Sequence, residues 1–266
     1  MENDRVGLGG KVALVTGAGR GFGRAFSLAL AEAGADVVCV EKVKETLEET
    51  AELVRQTGQK VLPLVVDVVT YEDVERMRDR IYSEFGKLDI AVNNAGIIHK
   101  PYRFHEIPLE EWNRLIAIDL TGVFVCMQKE LQLMVKQKSG VIINISSVTG
   151  LVGVDPELTP RASYVAAKHA VIGLTKQAAL EYAGDGIRVN AIAPAWFEGT
   201  DIARERLAGK DEEVFKHRLE RIINLTPMKR RGRVEELIGM LLYLASEASS
   251  FVTGQTFVID GGWATH

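Results

Sequence analysis

The chain has 266 residues, 47% of them hydrophobic and 26% charged, which is enough apolar material for a sizeable core inside one α/β domain spanning 1–266. Its 32 basic and 36 acidic side chains are mixed along the sequence and leave a formal charge of -4, so no concentrated basic surface of the kind that binds nucleic acid is expected. No uninterrupted apolar run approaches the roughly 18 residues of a membrane span, and no apolar segment follows Met1–Arg5, so neither an anchor nor a leader is expected.

In chain order, short β-branched runs alternate with longer amphipathic stretches. Val12–Val15 reads as a first strand and Phe22–Ala33 as a first helix; Val37–Val40, Lys44–Thr57, Val61–Val66 and Tyr71–Phe85 repeat the pattern. Ile90–Val92 is a fourth strand, Leu109–Lys136 a long helix, Val141–Ile145 a fifth strand and Ser163–Tyr182 a second long helix. Ile187–Ile192, Val234–Ala245 and Phe257–Ile259 complete the series. Strands apolar on both faces belong in a parallel sheet covered by helices, so the expectation is a doubly wound seven-stranded α/β fold with ligands at the carboxyl ends of the strands. Trp196–Asn224 departs from the alternation: it is polar and helix-compatible, and follows a strand end, which suits a mobile lid or an ordinary surface helix pair.

Cys39 and Cys126 lie far apart in apolar stretches and read as buried free thiols, which fits a reducing, cytoplasmic compartment. The five histidines include no His-x-x-x-His pair, and no Cys-x-x-Cys accompanies them, so no metal site is expected.

Two motifs carry chemistry. The first strand runs into Thr16-Gly-Ala-Gly-Arg-Gly-Phe-Gly23 and then a helix, an arrangement that aims backbone N–H groups and the positive helix end at a pyrophosphate. Its spacing is Gly-x-x-x-Gly-x-Gly rather than the general Gly-x-Gly-x-x-Gly fingerprint. Tyr164 and Lys168 are four apart, so a helix puts phenol and ammonium on one face. A tyrosine with a pKa of about 10 is a poor base near neutrality, and a neighbouring cation favours its phenolate.

Together with Asn93-Asn-Ala-Gly96, Ser147, Pro194 and Thr253-Gly-Gln-Thr-Phe-Val-Ile-Asp-Gly-Gly262, these motifs resemble the short-chain dehydrogenase/reductase superfamily over nearly the whole chain. The resemblance implies a single-domain Rossmann-fold oxidoreductase that exchanges hydride between a nicotinamide and an alcohol or ketone. It implies that Ser147 hydrogen-bonds the substrate oxygen and that Tyr164 passes the proton, while Lys168 assists the tyrosine and holds ribose hydroxyls. It places Gly17, Arg20, Gly21, Phe22 and Gly23 around the pyrophosphate, and Asp67 and Val68 at the adenine. Asn93, Asn94, Ala95 and Gly96 would shape the cleft, with Pro194, Phe197 and Thr200 beside the nicotinamide. Glu41 ends the second strand, where a carboxylate accepts from ribose hydroxyls and repels a 2′-phosphate, so NAD is expected over NADP; Arg20 and Lys42 pull the other way. A homotetramer packed through Leu109–Lys136 and Ser163–Tyr182 is also implied.

The sequence departs from the family pattern at four places, one of them Thr200, which lies one position later than the family's threonine. Asp119 stands where the family's catalytic set has asparagine, whose backbone carbonyl holds a water that links the lysine to solvent; aspartate keeps that carbonyl and loses the amide donor. Ala195 replaces the glycine after Pro194, and the stretch from Ser147 to Tyr164 is lengthened through Asp155–Arg161. Substrate contacts are expected from His99, Lys100, Tyr102, Arg103, the Asp155–Arg161 loop, Trp196 and Phe197, whose aromatic and basic character suits an acyl or aromatic alcohol with an anionic group. Lys229–Arg233 could meet a phosphate-bearing carrier such as coenzyme A or be a solvated helix entrance. Two other classes stay open: a noncatalytic nucleotide-binding subunit of a heteromeric dehydrogenase, and a sugar-nucleotide epimerase or dehydratase sharing Tyr-x-x-x-Lys.

Overall fold

The computed structural model describes residues 6–155, 157–158, 161–199 and 212–265. Its elements are β1 (Val12–Thr16), α1 (Gly21–Glu32), β2 (Asp36–Glu41), α2 (Lys44–Gln56), β3 (Val61–Val65), α3 (Tyr71–Phe85) and β4 (Ile90–Asn93). They continue with α4 (Leu109–Ile116), α5 (Val123–Gln137), β5 (Gly140–Ile145), α6 (Ala162–Tyr182), β6 (Ile187–Pro194), α7 (Glu212–Leu225), α8 (Ile238–Ala245) and β7 (Thr256–Ile259). The seven strands form one parallel sheet in the order β3-β2-β1-β4-β5-β6-β7. This is the Rossmann-like α/β architecture that the apolar runs imply.

The continuous hydrophobicity of β1 has a direct packing cause. Val12 and Leu14 enter the core on one side of the sheet with Val38, Met77 and Met134, whereas Ala13 and Val15 enter the other with Phe26, Leu30 and Leu241. Neither face can be polar, so no alternation survives in the sequence. Leu14 is fully buried; shortening it to alanine would cost about 2–5 kcal/mol by lost burial and cavity formation.

The topology also sets where a ligand fits. The chain winds outward from β1 to β3, then returns to place β4 against the opposite edge of β1, with Ala13 level with Ile90 and Val15 with Val92. The loops leaving β1 and β4 therefore diverge to opposite faces, opening a crevice above their carboxyl ends.

The long helix expected at Leu109–Lys136 is divided. Between α4 and α5 the segment Ala117–Gly122 widens into a π-helix, which inserts an extra residue into the register. That widening turns the Asp119 carboxylate inward, where Oδ1 accepts the Ile97 N–H at 2.8 Å. The last expected helix likewise begins as a tighter 3-10 turn, Val234–Leu237, before α8. Part of the expected lid, 200–211, lies outside the described residues; 196–199 continue the loop after β6, and the rest forms α7. Among the described residues no helix is long and apolar enough to cross a membrane.

Candidate functional site

The crevice is held open by close backbone contacts that only glycine tolerates. Gly17 has φ +65° and a Cβ there would lie 2.9 Å from the Ala95 Cα. Gly23 has a different task, since its Cβ would fall 2.0 Å from the Gly17 carbonyl oxygen; its absence lets α1 pack onto the turn. Thr16 pins the two strand ends together: its Oγ1 accepts the N–H groups of Asn94 at 3.0 Å and Ala95 at 3.1 Å. Asn94 returns the bond through Nδ2, donating to the carbonyls of Thr16 at 2.9 Å and Gly17 at 3.2 Å. No side chain caps the start of α1, so its first N–H groups face the crevice as donors for an anion.

At the lip, the Glu41 carboxylate is fixed by backbone donors. Oε1 accepts from Lys42 at 2.9 Å and Val43 at 3.3 Å, and Oε2 accepts from Gly19 at 3.4 Å. Gly19 was not singled out in the sequence, yet a Cβ on it would lie 2.8 Å from the Glu41 Cγ and 2.5 Å from Thr46 Oγ1. Arg20, Gly21, Phe22, Lys42, Asp67, Val68, Asn94, Ala95 and Gly96 line the same crevice. An elongated cleft with glycines at its tightest points, an uncapped helix start and a carboxylate at one end fits a dinucleotide.

Asn93 lies elsewhere. Its Nδ2 donates to Glu130 Oε2 and Asn144 Oδ1, both at 3.0 Å, and Asn144 passes the chain on to Thr175 at 2.9 Å. The network is buried beneath the crevice floor. Burial pushes the Glu130 carboxyl up to about 8, against the opposing effect of the Asn93 donor.

On the other side of β4, α6 and the end of β5 bring three more residues together. Ser147 follows β5; its hydroxyl donates to the Pro194 carbonyl at 3.4 Å and accepts the Thr149 N–H at 3.2 Å. Tyr164 and Lys168 share one face of α6, with the Lys168 Nζ 5.4 Å from the centre of the Tyr164 ring. Lys168 Nζ donates to the Ile145 carbonyl at 3.2 Å and lies 3.3 Å from Asp119 Oδ2. The adjacent Ser146 is occupied: its hydroxyl donates to the Lys168 carbonyl at 2.9 Å. The crevice and this cluster meet at Gly96, where a Cβ would sit 3.0 Å from Asp119 Oδ2 and 3.5 Å from Lys168 Nζ.

Phe197 packs edge-on against Phe22, ring centres 5.5 Å apart, and a Cβ on Gly232 would lie 2.5 Å from its ring. Thr200 lies outside the described residues. Next to Ser147, Val148 joins Leu158, Trp196 and Trp263 in an apolar cluster that Ile222 and Leu225 of α7 cover. Trp263, from the carboxyl-terminal turn, is a member that strand and helix periodicity could not place. Arg221 of α7 ties that cover down, pairing with Asp155 and, at 2.7 Å, with Glu157. His99 is buried: its Nδ1 bonds the Lys100 carbonyl at 2.5 Å, so Nε2 is left to accept the Ser163 hydroxyl. Arg161 Nε donates to the His99 carbonyl at 2.7 Å, while Lys100 and Arg103 are exposed and Tyr102 half-buried. The basic run is drawn into ion pairs, Arg230 to Glu236 at 2.6 Å and Arg231 to Glu198 at 3.1 Å.

Residues 17–264 match the family model described as enoyl-(acyl carrier protein) reductase. A 3-oxoacyl-[acyl-carrier-protein] reductase of Thermotoga maritima is 38% identical over 257 residues, 96% of this chain and 98% of the relative. Cis-4-hydroxycyclohexanecarboxylate dehydrogenase of Sinomonas cyclohexanicum is 40% identical over 253 residues, covering 95% of this chain and 96% of the relative. The structure of a gluconate 5-dehydrogenase from Burkholderia cenocepacia, in complex with NADP and tartrate, superposes with a TM-score of 0.90 at 35% identity, covering 99% of this chain and 98% of that one.

Proposed function

We propose that this chain, which belongs to the short-chain dehydrogenase/reductase family of Rossmann-fold oxidoreductases, is an NAD-preferring alcohol dehydrogenase or ketoreductase acting through Ser147, Tyr164 and Lys168. The observation that carries the reading is the buried meeting of Tyr164 and Lys168 on one face of α6, beside Ser147 and against the floor of a dinucleotide-sized crevice.

A bound nicotinamide supplies the hydride acceptor or donor. The chain's own residues do the rest. Gly17, Gly21 and the open start of α1 would hold the pyrophosphate, Asp67 and Val68 the adenine, and Lys168 the ribose nearest the reaction. The Ser147 hydroxyl, now donating to the Pro194 carbonyl, would turn that bond to the substrate oxygen. Tyr164 would take the alcohol proton in oxidation and return it in reduction. NAD preference is supported by Glu41, whose carboxylate three backbone N–H groups hold at the crevice lip; a 2′-phosphate there would meet a fixed negative charge.

For the substrate, the two-tryptophan cluster beside Ser147 supports an apolar alicyclic or aromatic body. Lys100 and Arg103, exposed a few residues after Gly96 of the crevice wall, support an anionic group on it. The Sinomonas relative's name describes such a substrate, a ring bearing a carboxylate. Exposed apolar side chains on the two long helical stretches, Phe124 at 49% and Leu180 at 79%, support homo-oligomerisation, a tetramer by family resemblance; light scattering at micromolar concentration tests it. The free, buried Cys39 and Cys126 fit a reducing, cytoplasmic setting.

The test is reduced-nicotinamide absorbance with a panel of secondary alcohols, cyclic hydroxy acids and hydroxyacyl-CoA esters, with NAD or NADP and a Tyr164→Phe control. Turnover with NAD that vanishes in the control supports the reading. Silence across the panel with NADH still bound would favour a noncatalytic nucleotide-binding subunit instead.

A further inference from the structure

Resting on the dehydrogenase reading above, we propose that Asp119 is a positioning residue whose carboxylate holds the Lys168 side chain in place and in its charged form at the floor of the crevice.

The pair is sealed: Asp119 is 0% and Lys168 4% exposed. The π-helical turn aims the carboxylate inward, and the Ile97 N–H fixes Oδ1 at 2.8 Å, so Oδ2 is delivered to Lys168 at 3.3 Å. Among the described residues Oδ2 has no hydrogen-bond partner besides this ion pair. The other contact of Nζ is the Ile145 carbonyl, a dipole rather than a charge. The titratable groups facing Lys168 are Asp119 from the π-helical turn and Tyr164 from α6 itself, and Arg114 of α4 acts on Asp119 at longer range.

A lone buried ammonium sheds its proton, because a poorly solvating interior disfavours the charged form. Burial does act on Lys168 in that direction, but Asp119, with a smaller contribution from Tyr164, more than offsets it and leaves the lysine above its ordinary value. Burial also pushes the Asp119 carboxyl up, with Lys168 and the Ile97 N–H acting against that shift. An asparagine at 119 would keep the shape and the bond to Ile97 while leaving the cation unpaired. Lys168 would then lose its charge as pH rises, and the crevice would lose a charged donor. A merely structural pair would instead lower stability without giving ligand binding a new pH dependence.

The test is NADH fluorescence titration of the wild type, Asp119→Asn and Asp119→Ser between about pH 6 and about pH 9.5, with folding checked by circular dichroism. Wild-type affinity is expected to change less than about threefold, while both variants weaken by about tenfold or more toward the alkaline end as a charge-assisted hydrogen bond is lost. Near the acidic end, turnover of Asp119→Asn should stay within about tenfold of wild type. Variants that bind with the wild-type pH profile overturn the proposal. So does a wild type whose own affinity falls about tenfold across the range, which decides the matter even if neither variant folds. A wild type that binds no NADH at any pH means that the dehydrogenase reading itself has failed.

Discussion

Glu130 gives the sharpest test of the packing described above, because an acid has been placed where water cannot reach it. It is 1% exposed, and the Asn93 amide donates to its Oε2; among the described residues Oε1 and the neighbouring Asn93 Oδ1 are both buried without a hydrogen-bond partner. Burial raises the carboxyl from 4.5 to about 8. Folding therefore binds a proton that the unfolded chain has already released above its lower value. The resulting stability is fully present below 4.5 and is lost as pH rises to about 8. At roughly 1.4 kcal/mol per unit, the whole gap corresponds to about 5 kcal/mol, and the part between about pH 5 and pH 8 to about 3 kcal/mol. Glu130→Gln removes the titration, keeps an acceptor for the Asn93 amide and puts an N–H donor in place of the unpartnered Oε1. Urea unfolding followed by tryptophan fluorescence, at fixed protomer concentration, should show wild type losing about 3 kcal/mol more than the variant over that range. Parallel pH dependence in the two proteins would falsify the assignment of a buried, neutral Glu130.

Other perturbations probe the crevice and its surroundings. Gly17→Ala places a Cβ 2.9 Å from the Ala95 backbone at φ +65°; a cost of about 1–3 kcal/mol in stability should appear in a thermal melt, together with weaker NADH binding. Glu41→Ser removes the fixed charge at the lip and should shift the ratio of NADPH to NADH affinity by about tenfold toward NADPH in fluorescence titrations. Arg221→Ala frees α7 from Asp155 and Glu157; KM for the alcohol should rise by about threefold while NADH affinity is unchanged, as steady-state kinetics and direct titration would reveal.

The sheet was legible because it is covered on both faces: β1, β2 and β5 have no polar register to obscure, and their carboxyl ends lead into glycine, glutamate and serine where ligands would approach. The cluster of Ser147, Tyr164 and Lys168 was legible because two of its members share a helix face and the third ends a strand. The asparagine pair was harder. Asn93 and Asn94 are adjacent, and only the packing decides that the first enters the Glu130 network while the second bonds the glycine turn. Lys129 and Glu130 read as surface charge within an amphipathic helix, yet both are buried, Lys129 because the Tyr71 hydroxyl and Glu75 of α3 reach it at 2.6 and 3.1 Å. The π-helical turn was invisible for a different reason: Ala117–Gly122 gives no periodic signal of an extra residue, and its effect shows in the contacts that the Asp119 carboxylate makes with Ile97 and Lys168.

That extra residue fixes the angular phase of two surfaces at once. Each α-helical residue advances the chain by about 100°, so the widened turn sets the angle at which α5, with Phe124 exposed, follows the segment that holds Asp119 against Lys168. Deleting one residue from Ala117–Gly122 would rotate α5 against α4 by about that amount, burying a face now exposed and exposing one now packed on the sheet. Insertions and deletions should thus be tolerated far less in this turn than in the loops around it, because one residue sets both the floor of the crevice and the outer face of the helix.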